Sequence, residues 1–357
     1  MGEKVLVAMS GGVDSAAAAL LLQREGYRVA GATLRLYDAP PGEGRSCCSP
    51  ETLEGAARWA RALGIPHRLF DYREKFRRAV VDDFVAEYRR GRTPNPCVRC
   101  NRSVKFTDLL ALARAMGFEA LATGHYVRRE YDETASAFVL RRAFDRDKDQ
   151  SYFLWATPRE SLPELRFPLG RLTKPEVRAL VREVVAEAAS RPESQDLCFV
   201  EEGSYADFLA SVLGEGDRPG PIVDEGGRRL GTHPGLAHYT VGQRRGLGVA
   251  AGKRLYVKRL EAATNTVVLA EGPALAAATF TAGRVNWLRE PPTESLRAHV
   301  KVRSRDAGGP ATVHPRGAEE VFVALDEPRR AIAPGQSAAF YDGDTLLGGG
   351  IIDEVQA

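Results

Sequence analysis

Apolar and polar positions alternate in two different ways along this chain. Up to about residue 125, short apolar runs take turns with segments whose apolar residues recur every three to four positions. Lys4–Met9 (KVLVAM) reads as a buried strand, Ser15–Glu25 as a helix stopped by Gly26, and Tyr27–Leu34 as a second strand. A helix over Glu51–Leu63 closed by Gly64, a strand at His67–Asp71, helices over Glu74–Arg90 and around Phe106–Met116, and a strand at Ala120–Thr123 continue the series. Such alternation predicts an α/β domain: a doubly wound parallel sheet with helices on both faces. From Tyr126 the period drops to two, and YVRREYDETASAFVLRRAF predicts a hairpin turning near Asp132–Ser136. One more helix is expected over Lys174–Ala189, with Thr173 as its cap. Beyond about Gly214 the chain is rich in Gly and Pro, and short strand patterns dominate: LYVKRL, NTVVLA, RAHVKVR, EVFVALD and SAAFYDGDTLLGGGII.

The expected organisation is therefore a catalytic α/β domain over 1–205, a central β-rich domain over 206–275, and a C-terminal β-barrel over 276–357. A chain of 357 residues is long enough for such a division. Hydrophobic residues at 44% and charged residues at 27% are ordinary for a globular protein. No apolar run approaches the ~20 residues of a membrane span, and the N-terminus enters a strand directly, so no membrane association and a cytoplasmic location are expected. A net charge of +3 permits an anionic partner without demanding one. Five cysteines (47, 48, 97, 100 and 198) are odd in number and few, which argues against a secreted disulfide framework.

The first strand runs into Ser10-Gly11-Gly12-Val13-Asp14-Ser15. This turn sits where an open parallel sheet binds its ligand, at the N-terminus of the first helix. Backbone N–H groups and the helix dipole favour an anion there, and the glycines allow close approach. Ser10 and Ser15 offer hydroxyls. Asp14 is out of place beside a phosphate unless it orients the loop or helps hold Mg²⁺. Neither the G-x-x-x-x-G-K-[ST] nor the G-x-G-x-x-G pattern is present, and no lysine follows the loop. S-G-G-V-D-S after a strand resembles the loop of the ATP-pyrophosphatase superfamily, whose members cleave ATP between its α and β phosphates and adenylate a substrate oxygen.

A second polar stretch, GRTPNPCVRCNRSVKF (91–106), carries a C-x-x-C. Pro94 and Pro96 bracket Asn95 and are expected to stiffen a loop. Arg92, Arg99, Arg102 and Lys105 surround the thiols, and nearby positive charge favours thiolate. Cys198 follows almost a hundred residues later in RPESQDLCFV. Three readings are open: small buried hydrophobes; ligands of an iron–sulfur cluster held by Cys97, Cys100 and Cys198; or sulfur transfer, one cysteine carrying a persulfide and another resolving it. Cys47 and Cys48 read as non-catalytic.

Taken together, G-R-T-P-N-P-x-x-x-C-N (91–101), A-T-G-H-Y (122–126), K-D-Q-S-Y-F-L (148–154), S-Q-D-x-C-F (194–199), Y-T-x-G-Q-R-R-G-L (239–247), A-I-A-P-G-Q (331–336) and G-G-G-I-I (348–352) resemble the tRNA-specific 2-thiouridylase family over the whole chain, in order. The resemblance implies an adenine nucleotide alpha-hydrolase-like N-terminal domain. It further implies a sulfurtransferase that uses ATP and Mg²⁺ to activate the C2 oxygen of the wobble uridine of tRNA, then replaces it with sulfur, releasing AMP and pyrophosphate. Carried over by position, Cys100 is the nucleophile and Cys198 the persulfide carrier. Ala8, Met9, Ser10, Gly11, Gly12, Val13, Asp14, Ser15, Leu34 and Gly124 contact ATP. Asn95, Pro96 and Cys97 face the target base. His125, Lys148, Asp149, Gln150, Arg303, Ser304 and Gln336 contact tRNA. An upstream sulfur donor, such as a cysteine desulfurase or sulfur-relay protein, is implied as partner. Some members carry Asp where this chain has Cys97, which leaves the general base to be found elsewhere, Asp196 being one candidate. Two other readings stay open: a ligase that adenylates a small molecule, and an RNA-binding module with a vestigial nucleotide site.

Overall fold

The computed structural model describes residues 2–38, 49–185, 198–199, 208–209 and 218–356. The chain forms two compact units. The first comprises Met1–Val80, Cys97–Phe199 and Asp344–Leu347; the second comprises Val81–Pro96, Val200–Gly343 and Gly348–Ala357.

In the first unit, β1 (Lys4–Ala8), β2 (Arg28–Arg35), β3 (His67–Asp71), β4 (Ala120–Ala122) and β7 (Leu165–Arg166) form a parallel sheet in the order β3-β2-β1-β4-β7. The central β1 is an apolar run with Val5, Leu6 and Val7 fully buried, as expected for a strand covered on both faces. Helix α1 (Val13–Arg24) follows it. Its Ala16–Ala19 run is buried, so the helix lies close on the sheet through side chains no larger than a methyl group. Helix α2 (Pro50–Leu63) begins where Ser49 accepts the Thr52 N–H at 3.2 Å and ends at Gly64 with φ +66°. The two residues of β7 are too few to show a period, and only pairing with β4 makes them a strand. β5 (Val127–Asp132) and β6 (Ala137–Arg142) form the expected hairpin, and Thr345 and Leu346 extend it by pairing with Arg141 and Leu140.

The thiol-bearing stretch departs from expectation. It is not a stiffened loop: Pro96–Arg99 is a helical turn, Cys100–Leu109 continues it as π-helix, and Leu110–Ala115 ends it as α-helix. Pro96 occupies the first helical position, where its fixed φ suits the helix and its missing N–H leaves nothing unsatisfied. The helix expected around Phe106–Met116 thus begins ten residues earlier. Helix α3 (Lys174–Arg182) starts with Glu176 accepting the Thr173 N–H at 2.7 Å, a capping box. It ends at Arg182, with Glu183 as its C-cap, seven residues short of the expected Ala189.

In the second unit, β8 (Gly220–Asp224), β9 (Arg229–His233), β10 (Leu255–Glu261) and β11 (Thr266–Glu271) form a four-stranded sheet in the order β10-β11-β8-β9. Its core holds Ile222, Val257, Val267 and Leu269. β12 (Ala276–Trp287), β13 (Leu296–Lys301), β14 (Gly309–Pro315), β15 (Val321–Arg330), β16 (Ser337–Asp342) and β17 (Thr345–Gln356) run in the order β12-β15-β14-β13-β16-β17, and β17 pairs back onto β12 from Gly348 onward. The sheet is therefore a closed six-stranded barrel without free edges. Phe280, Val300, Val313, Val323, Phe340 and Ile352 fill it. Among the described residues, no helix is long and apolar enough to cross a membrane.

Because β4 lies beside β1, with Val7 opposite Ala122, the turns that leave both strands meet. A Cβ on Gly124 would stand 2.7 Å from the carbonyl carbon of Asp14 and 2.8 Å from the nitrogen of Ser15, both backbone atoms at the head of α1. Gly124→Ala is expected to destabilise the protein by about 2 kcal/mol through overpacking, read as a lower thermal midpoint.

Candidate active site

The loop between β1 and α1 takes its shape from its own residues. Gly11 has φ +75°, and a Cβ there would lie 2.2 Å from the carbonyl oxygen of Thr52, so both backbone and space require glycine. Gly12, at the N-cap, gives α1 no side-chain cap. An uncapped N-terminus at the carboxyl edge of β1 is the arrangement that takes an anion. Ser15 turns inward: its hydroxyl donates to the Gly12 carbonyl at 3.0 Å and accepts the Ser10 N–H at 3.2 Å. Ala8 and Met9 lead into the loop, with Met9 N–H donating to the Ala32 carbonyl at 2.8 Å. Leu34, half-buried, lies near the end of β2 opposite Phe70.

Asp14 orients this loop. Lys174, the first residue of α3, donates its ammonium to both carboxylate oxygens at 2.7 and 2.9 Å, and the Tyr126 hydroxyl donates to Oδ1 at 2.9 Å. The Lys174 side chain is only 9% exposed. The lysine that does not follow the loop in sequence therefore reaches it from 160 residues away. Neither Lys174 nor Tyr126 was singled out from the sequence for this task. The signal available was the invitation in Asp14 itself, a carboxylate that needs a cation if it is to sit beside an anion site.

The residues after β4 complete the edge. Thr123 Oγ1 and His125 Nδ1 are 2.7 Å apart, and the His125 ring stacks edge-on to Phe167 and tilts against Phe106. Burial, with the charge of Lys105 added, keeps His125 well below the ordinary histidine pKa, so the ring is neutral at physiological pH. Asp149 and Gln150 spend their side chains within the unit. Asp149 accepts the N–H groups of Ala143 and Ser151, while Gln150 accepts the Tyr126 N–H at 2.9 Å and donates its own N–H to the Tyr126 carbonyl. Gln150 thereby braces the His125–Tyr126 turn, and Asp149 braces the chain from Ala143 to Ser151. Lys148 lies half-buried two residues before Gln150.

Cys97 and Cys100 stand three residues apart on the helical stretch, hence on one face. The charge of Cys198 acts on Cys97, so tertiary structure brings the distant cysteine to the C-x-x-C. Phe199, beside it, is buried edge-to-face on Phe76 with ring centres 5.6 Å apart, which pins the Cys198 segment. The basic residues around the thiols do not create a thiolate at Cys97. Burial first, and the charge of Cys198 after it, raise its pKa to about 11, with Lys105 only partly opposing them. Arg92 is spent elsewhere, on Glu87 at 2.6 Å and Asp353 at 2.7 Å. Lys105 is held by the buried Asn101, whose Oδ1 accepts its ammonium at 2.9 Å and whose Nδ2 donates to the Phe153 carbonyl.

No disulfide joins Cys97, Cys100 and Cys198. Among the described residues no group of three or more His, Cys, Asp or Glu could hold a metal ion. All three thiols lie among those residues, so as placed they do not form a ligand set for an iron–sulfur cluster. Cys47, Cys48 and Asp196 lie outside the described residues.

The other expected contacts belong to the second unit. Asn95 and Pro96 are buried. Gln336 donates its side-chain amide to the Thr93 carbonyl at 3.1 Å, and Thr93 N–H donates to the Pro334 carbonyl at 2.8 Å. Gly335, at φ +90°, admits this contact, since a Cβ there would lie 2.8 Å from Thr93 nitrogen. Two sequence motifs, 91–101 and 331–336, are thus halves of one brace. Arg303 and Ser304 are exposed in the turn after β13.

A parallel α/β nucleotide-binding domain with its anion loop at the topological switch point, followed by a four-stranded β-sheet module and a six-stranded β-barrel, is the class that fold and site define. The sequence patterns of three domain families match in the same order: the tRNA methyl transferase HUP domain over 3–202, the tRNA methyl transferase PRC-barrel domain over 206–271, and the aminomethyltransferase beta-barrel domain over 277–352. The tRNA-specific 2-thiouridylase MnmA of Zymomonas mobilis is 46% identical over 355 residues, 99% of this chain and 94% of the relative. That of Methylorubrum extorquens is 48% identical over 365 residues, with the same coverage. That of Paramagnetospirillum magneticum is 47% identical over 98% of this chain and 95% of the relative. The chain belongs to the tRNA-specific 2-thiouridylase family.

Two outcomes follow from the site. Lys174→Met leaves the Asp14 carboxylate, one-third exposed, without its cation. A loss of roughly 2 kcal/mol is expected, below the cost of breaking a fully buried pair, together with weaker nucleotide binding by calorimetry. The protonated form of Cys97 favours the folded state, a contribution present below pH 9.0 and lost as pH rises through about 11. The Cys97 peptide is therefore expected to stay largely unalkylated by iodoacetamide at pH 8, as read by peptide mass mapping.

Proposed function

We propose that this protein is an ATP-dependent tRNA-uridine 2-sulfurtransferase acting at the wobble uridine. The observation that carries the reading is the approach of Cys198 to the C-x-x-C helix within the unit that holds the anion loop. Nucleotide activation and sulfur chemistry then share one domain.

Ala8–Ser15, Leu34 and Gly124 bind ATP, with its phosphates at the head of α1. Mg²⁺ held with the phosphates beside the loop of Asp14 would supply charge neutralisation for the pyrophosphate. The uridine C2 oxygen attacks the α-phosphorus and pyrophosphate leaves, so a poor leaving group becomes AMP. The terminal sulfur of a persulfide on Cys198 adds at C2 and expels AMP. Cys100 thiolate then attacks Sγ of Cys198 and breaks the S–S bond to the transferred sulfur. The products are 2-thiouridine and a Cys100–Cys198 disulfide, which takes two electrons from an external thiol before the next turnover. A sulfur donor such as a cysteine desulfurase or sulfur-relay protein reloads Cys198.

Cys97, with Asn95 and Pro96, faces the base. Held protonated, it suits proton donation and not the base role of an Asp. His125, Lys148–Gln150, Arg303, Ser304 and Gln336 lie along the tRNA path, several of them as braces for the backbone that touches it. The base leaves its stack to reach the site.

Incubation with ATP, Mg²⁺, a sulfur donor and unmodified tRNA is expected to yield 2-thiouridine on mass analysis of the digest, with AMP and pyrophosphate in equal amount. Absence of product from the wild-type protein overturns the proposal. Cys100→Ser and Cys198→Ser are each expected to abolish product while leaving tRNA binding within a few-fold of wild type. Product from Cys198→Ser overturns the persulfide role alone.

A further inference from the structure

The second unit contains a cavity of about 510 Å³ to which no role has been given. It lies where β10, β11 and the end of β15 come together, and Arg254, Tyr256, Glu271, Gly272 and Arg330 line it. Its shape depends on Gly272: a Cβ there would stand 2.6 Å from an Arg330 guanidinium nitrogen and 3.3 Å from Cζ. The missing side chain lets Arg330 lie over the Tyr256 ring, 5.1 Å from its centre. The positive charges of Arg330 and Arg244 lower the Tyr256 phenol's pKa below its ordinary value. Arg254 is exposed on the same wall, so two guanidiniums, Arg254 and Arg330, line the cavity beside Tyr256. The one carboxylate in the lining, Glu271, is paired with Lys253 at 2.5 Å, so it does not offset the arginines.

The position of Arg330 is built in. Ala331, the next residue, has φ +55°, and its N–H donates to the Leu275 carbonyl at 2.9 Å. A non-glycine residue in the left-handed region is held there by its surroundings. Arg303 donates to the Arg330 carbonyl at 3.1 Å. The residue already expected to touch tRNA is therefore tied directly to the wall of this cavity.

We infer that Arg254 and Arg330, which line this cavity together with Tyr256, form a phosphodiester-binding pocket for the tRNA backbone, continuous with Arg303. Guanidinium forks suit phosphate oxygens, and contacts of this kind position an RNA without reading its sequence. The inference rests on the thiolation reading, since it takes tRNA as the ligand.

The test measures tRNA affinity by fluorescence anisotropy between 50 and 200 mM salt for the wild type, Arg254→Gln, Arg254→Gln/Arg330→Gln and Arg330→Lys, with thermal midpoints recorded for each. The double variant is expected to bind about tenfold more weakly at 50 mM salt, and the slope of log K against log salt to fall by about one to two in magnitude. Its KM for tRNA should rise more than its kcat falls. Arg254→Gln, at an exposed position, should show part of the same slope change with an unaltered midpoint, and Arg330→Lys should keep most of the slope. Unchanged affinity and slope in both Gln variants, while the wild type binds and thiolates tRNA, overturn the pocket and leave the function intact. Tight binding of AMP or inorganic phosphate, lost in the double variant without change in tRNA affinity, overturns it in favour of a small anion. A wild type that neither binds nor thiolates tRNA overturns both.

Discussion

Everything in the candidate site depends on two backbone turns that touch with no side chain between them. β1 and β4 are neighbours, and Gly124 lies against Asp14 and Ser15 so closely that even a methyl group has no room. This contact puts the head of α1 beside the residues leaving β4. Tyr126 can then reach Asp14, and α3 can supply Lys174 to the same carboxylate. The anion loop is thus oriented by groups drawn from three separate parts of the sequence. A buried ion pair of this kind adds little net stability; here it fixes the Asp14 carboxylate at the head of α1.

A similar economy governs the polar residues around the site. Asp149, Gln150 and Gln336 carry groups able to touch RNA, yet each is committed to a backbone partner. They fix the shape of the turns, and those turns carry the exposed residues. At the thiols, desolvation outweighs charge. Several basic residues surround Cys97 in sequence, but only Lys105 acts on it, and burial prevails. Charges near in sequence count only when they are near in space and not already paired, as Arg92 is with Glu87 and Asp353.

Much of the fold was legible from local pattern. The strand at His67–Asp71, the helix closed by Gly64 and the Asp132–Ser136 turn agree with the structure within a residue or two, because period, capping and turn chemistry are short-range properties. The C-x-x-C helix was less legible: two prolines read as loop, while one of them occupied the first position of a helix. β7 could not be read at all, since two residues have no period and exist as a strand only through a neighbour.

By itself the sequence determined most of the elements, the glycine-rich loop after the first strand and the family, since each is carried by residue type at fixed spacing. Tertiary structure alone decided three things. It chose which cation answers Asp14, kept Cys97 protonated among basic neighbours, and placed Arg254 and Arg330 with Tyr256 around one cavity. The physical reason is common to all three. Electrostatic and desolvation energies depend on distances and burial through space, and these are set by the packing of segments that lie far apart along the chain.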